Sequence, residues 1–71
     1  MIDFYIESTA DENIFIALSY GAVKWARSLE GPFRRFFNNQ RDAFIFPLPA
    51  NKTECEGFRD RVREAGLRIR E

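Results

Sequence analysis

Few side chains in this sequence are equipped for covalent or proton-transfer chemistry. There is no histidine, which removes the commonest general base and a frequent metal ligand. Cys55 is the single cysteine, so neither an intrachain disulfide nor a zinc site built on several thiolates can form. A nucleophilic thiol needs an activating base. With no histidine to serve it, Cys55 reads as a small buried apolar residue on a helix. The carboxylates show no dyad spacing, and the four glycines form no phosphate-cradling loop. No catalytic residue, metal site or cofactor is expected, and the chain reads as a non-enzyme.

What the chain does offer is rings beside arginines. The stretch FRRFFNNQRDAFIF, residues 33–46, holds five Phe and three Arg around a polar centre. Aromatic residues and arginine are enriched where proteins bind one another. The same pairing can stack single-stranded bases and hold phosphate. Which of these it serves depends on the faces the rings occupy.

The elements that place them can be read from periodicity. IDFYIE alternates, with Ile2, Phe4 and Ile6 on one face and Asp3, Tyr5 and Glu7 on the other, as in a half-buried strand. STADEN follows with capping-box spacing in two frames, Ser8 with Asp11 or Thr9 with Glu12. Residues 10–30 then predict one helix. Its buried stripe is Phe15, Leu18, Ala22, Trp25, Ala26 and Leu29, and Gly31-Pro32 ends it. The competing reading is a hairpin of IFIALS and AVKWARS about Tyr20-Gly21.

Residues 33–37 and 43–47 flank a turn-rich run and predict a hairpin. Asn51 and Glu54 have helix-cap spacing. A second helix follows, with Cys55, Phe58, Val62 and Ala65 inward and Lys52, Glu56, Arg59, Asp60 and Arg63 outward. Gly66 stops it, and LRIRE alternates as a last strand with Leu67 and Ile69 inward.

Strand, helix, strand, strand, helix, strand implies an α+β, ferredoxin-like βαββαβ domain. Its sheet would have four antiparallel strands, with both helices on one face. At 71 residues the chain forms one domain, 1–71. A core this small gives thin stability, which makes oligomerisation a natural expectation.

The other sheet face is then open. Asp3, Tyr5 and Glu7 would lie there beside Arg68 and Arg70, as opposite charges paired across neighbouring strands. In the hairpin, a four-residue loop groups Phe33, Phe37, Phe44 and Phe46 under the helices and leaves Phe36 and Ile45 outside. A five-residue loop regroups them, and neither register leaves a polar face. The candidate partner-binding residues are therefore Tyr5, Arg34, Phe36, Ile45, Arg68 and Arg70. A second candidate surface is the far side of the first helix, Ile16, Tyr20, Val23 and Arg27, because a helix apolar on two sides is usually covered on both.

Lysine plus arginine balance aspartate plus glutamate, so net charge draws no polyanion. The acidic start lacks a signal peptide's basic region, and no apolar run is long enough to span a membrane. A reducing cytoplasm is the expected setting. The expected function is a noncatalytic protein-binding module that binds itself, as a homodimer, or another protein. Size and the lack of motifs point to a small regulator or inhibitor, of the kind phages and plasmids direct against host machinery. The alternative is an RNA- or single-stranded nucleic-acid-binding domain using Tyr5, Phe36 and the nearby Arg. Against it, Asp3 and Glu7 flank Tyr5 and repel phosphate.

Overall fold

Strand β1 (Phe4–Ser8) turns back at once into β2 (Glu12–Ala17) in a computed structural model of the chain, which describes Met1–Glu71. The Thr9 hydroxyl accepts the N–H groups of Asp11 and Glu12 at 3.2 and 3.0 Å. Side-chain oxygens of Ser, Thr and Asp satisfy backbone donors in tight turns as they do at helix starts. The cap-like chemistry of STADEN therefore closes a hairpin. β-branched Ile14 and Ile16 then gain more from cross-strand pairing than a helix would give them.

The single helix expected over 10–30 is corrected accordingly. Its true N-cap is Ser19, whose hydroxyl accepts the Ala22 N–H at 3.0 Å, and α1 spans only Tyr20–Ser28. Phe15 belongs to a strand, and Leu18 is 58% exposed between the two elements.

The expected hairpin forms only at its tip. Pro32–Phe36 coils as a 3-10 helix after Gly31, whose φ of +100° suits glycine. Only Phe37–Asn38 (β3) pairs with β4 (Ala43–Pro47), in the four-residue-loop register that sets Phe37 opposite Phe44. The Asn38 carboxamide oxygen accepts the Gln40 and Arg41 N–H groups, both at 3.0 Å, and holds that loop.

Helix α2 (Lys52–Glu64) buries Cys55, Phe58 and Val62. Asn51 stands at its N-cap without a side-chain hydrogen bond, and Ala65 is exposed at its C-cap rather than buried. Gly66, at φ +78°, lets Leu67 N–H reach the Val62 carbonyl at 3.2 Å and so ends the helix. A short β5 (Ile69–Arg70) closes the sheet.

The sheet has five strands in the order β3-β4-β2-β1-β5, and β5 runs parallel to β1. The fold is thus α+β with two helices and a mixed sheet, not the four antiparallel strands expected. The added strand is β2, taken from the predicted first helix. Both helices do lie on one face. There Phe58 packs against six rings, from Phe44 at 4.3 Å between centroids to Phe4 at 6.2 Å, with Phe15, Phe46, Trp25 and Phe33 between. Such tilted and edge-on rings add to the burial of their area.

Candidate functional site: the open sheet face

Register decides what the uncovered face carries. Alternation puts Phe4, Ile6, Phe15, Ala17, Phe44 and Phe46 under the helices, all within the buried core. Their strand neighbours must point the other way. Across the sheet, one row on that outer face reads Arg70, Tyr5, Ile16, Ala43, Asn38. The next reads Glu7, Ile14, Ile45, and a third pairs Glu12 with Pro47.

Ile14 and Ala43 are buried yet lie outside the helix-side core cluster. Their neighbours on this second face shield them. Tyr5 remains 41% exposed, and Ile16 and Ile45 are half-buried. An apolar middle on a face that no helix covers is the feature a bare surface count would miss.

The charges at its margins are unpartnered. The chain's ion pairs are Arg27–Asp42, Arg35–Glu54 and Arg59–Glu71. Glu7, Glu12, Arg68 and Arg70 belong to none of them. The expected pairing of Asp3 and Glu7 with Arg68 and Arg70 does not form. Instead the Asp3 carboxylate accepts the Ser19 hydroxyl at 2.5 Å and the Arg68 backbone N–H at 2.8 Å. The Ser19 bond, then the Arg68 one, holds this carboxyl below its ordinary value. Asp3 joins β1, α1 and β5, and is occupied in doing so.

Three of the predicted partner-binding residues, Tyr5, Ile45 and Arg70, share the open face, and Arg68 stands exposed at the start of the edge strand. Phe36 and Arg34 do not lie there. The 3-10 coil turns the Phe36 ring onto Phe46, 4.4 Å between centroids, on the helix side. Arg34 donates to the Ala26 and Arg27 carbonyls at 3.2 and 3.1 Å, satisfying the C-terminal end of α1. Both placements follow from loss of the extended backbone upstream of β3.

The second surface, Ile16, Tyr20, Val23 and Arg27, does not exist as a helix stripe. Ile16 is on β2, Val23 packs against the core, and Arg27 bonds Asp42 at 3.1 Å. Tyr20 alone stands out, 82% exposed at the start of α1. Ile16 and Ile14 are the open-face residues that sequence reading missed. The signal was their β-branched pairing with the alternation of IDFYIE.

A shallow groove of about 470 Å³ lies where the chain enters β1 and α1 begins, lined by Met1, Ile2, Asp3, Leu18, Ser19, Tyr20 and Gly21. Its one carboxylate is the occupied Asp3, so it adds apolar surface rather than a reactive group. No three His, Cys, Asp or Glu side chains converge as metal ligands, and no helix is long and apolar enough to cross a membrane. Comparison of the chain with models of protein families, with curated proteins and with solved structures finds no match.

Proposed function

We propose that this chain is a noncatalytic protein-binding module, a small regulator or inhibitor that acts by occupying a surface through its open sheet face. One observation carries the reading: the uncovered face groups Tyr5, Ile14, Ile16 and Ile45, bordered on the β1–β5 side by Glu7 and Arg70 and at one end by Glu12, charges that have no ion-pair partner in the chain. Interfaces combine such a centre with a polar rim. The layout follows the logic of a ferredoxin-like domain, with helices on one face and the other left for recognition. A lone buried thiol at Cys55 suits work in a reducing cytoplasm.

The test is a photo-crosslinking benzoylphenylalanine in place of Ile45, compared with one in place of Arg63 on the outer side of α2. In extract of the native host, position 45 should give protease-sensitive adducts and position 63 should not. Nuclease-sensitive adducts at 45 would replace this reading with the nucleic-acid one. Equal labelling at both positions would remove the basis for any face-specific function.

A further inference from the structure

We infer that the 3-10 coil Pro32–Phe36 is a strap across the aromatic core that opens as a unit while the rest of the chain stays folded. It lies on the helix side and is independent of whatever the open sheet face binds. Little holds the segment, and none of its five residues is buried. The Arg34 N–H reaches the Gly31 carbonyl at 3.2 Å, and the Phe37 N–H bonds the Arg34 carbonyl. Arg35 donates to the Pro32 carbonyl at 2.7 Å, inside the strap, and reaches Glu54 only at 4.0 Å. Upstream, Gly31 has no atom beyond its chain neighbours within 4 Å of where a Cβ would stand, and its φ of +100° suits a free hinge. Segments with few buried contacts and exposed backbone hydrogen bonds open first.

Ring packing keeps the strap shut. Phe36 packs on Phe46 at 4.4 Å between centroids, and Phe33 on Phe58 at 5.6 Å. Arg34 adds its bonds to the carbonyls at the end of α1. Phe33 also fits a notch in α2. A Cβ at Gly57 would stand 3.3 Å from the Phe33 Cζ, inside ordinary contact distance. Glycine is unfavourable within a helix, and this one lets the ring approach.

Detachment, rather than strand extension, is the alternative form. Continuing the β3–β4 pairing beyond Phe37 and Phe44 would set Arg35 opposite Phe46, on the buried face. The two rings beneath the strap, Phe46 and Phe58, are fully buried while it is closed. Opening bares the sides that Phe36 and Phe33 cover, and so presents an apolar surface that the closed chain lacks.

Native-state hydrogen exchange on the purified chain, resolved by residue with NMR, tests this at the Arg34 and Phe37 N–H groups. Both should be protected at least about a hundredfold less than the slowest amides of β2 and β4, through an opening that leaves those strands intact. Gly57→Ala is the sharper probe, because it acts on helix and strap with opposite sign. Alanine favours α2, so the slowest core amides should exchange about two- to fivefold more slowly. The new methyl crowds Phe33, so the Arg34 and Phe37 amides should exchange at least about threefold faster. Phe33→Ala should also free those two amides, and in that background Gly57→Ala should no longer affect them. Strap amides as well protected as the core overturn the inference. So does Gly57→Ala if the strap amides do not speed, if strap and core change together, or if its effect on the strap survives removal of the Phe33 ring.

Discussion

Phe44 and Ile45 are neighbours on one strand, and the two-faced sheet predicts that truncating them has different costs. Phe44 is fully buried, 4.3 Å from Phe58 and 4.7 Å from Phe37 between ring centroids, with Phe4 and Trp25 both at 6.4 Å. Phe44→Ala leaves a cavity between four rings that cannot close around it, so a cost near 4 kcal/mol is expected, inside the ~3–5 kcal/mol range for such changes. A chain of 71 residues has roughly 4–10 kcal/mol in total. That one substitution therefore consumes much of the stability.

Ile45→Ala removes three carbons. At about 0.8 kcal/mol per fully buried carbon that is roughly 2.4 kcal/mol, and the partial exposure of Ile45 reduces it to about 1.5–2 kcal/mol, with no enclosed cavity to add. Urea unfolding at low micromolar protein measures both. The midpoint should fall about twice as far for Phe44→Ala as for Ile45→Ala, with the denaturant slope unchanged. Equal costs would mean that something within the chain covers Ile45, and the open face would have no basis.

Other expectations follow from single residues. Cys55 is buried on α2 with its sulfur 3.4 Å from the Asn13 amide nitrogen, so a thiol reagent should label it only as fast as the protein opens; rapid stoichiometric labelling of native protein would refute its placement. The Asp3 carboxyl is held below 3.8, first by Ser19 and then by Arg68 N–H. Its stabilisation is therefore present above that value and lost as pH falls below it. The stability gap between wild type and Asp3→Asn should be full at pH 6 and shrink below about pH 3.8; a gap that persists unchanged to pH 2 would contradict the assignment. Binding to short RNA or DNA should be weak and vanish near physiological salt, because Glu7 and Glu12 share the face with Arg70. Submicromolar affinity at about 150 mM salt, lost on Tyr5→Ala, would favour the nucleic-acid reading instead.

Local pattern alone determined a good part of this protein. Alternation in IDFYIE, the stripe of Cys55, Phe58 and Val62 without Ala65, and the stop at Gly66 appear as read, and of the two loop registers weighed the four-residue one forms. Each is decided by residues close in sequence: period, cap and turn chemistry. The open face with Tyr5, Ile45 and Arg70 followed from placing both helices on one side. What local pattern could not decide was the fate of residues 12–17 and 32–36. Glu12–Ala17 has helical spacing and β-branched content at once, and only the neighbouring strands β1 and β4, one on each side, settle it as a strand. That choice moved Ile14 and Ile16 onto the open face, and it could be made only by contacts distant in sequence. Pro32–Phe36 coils because Phe33 and Phe36 find Phe58 and Phe46, rings that an extended ribbon would have left partly in water. Backbone periodicity says which residues can share a face; packing between elements decides which face is covered.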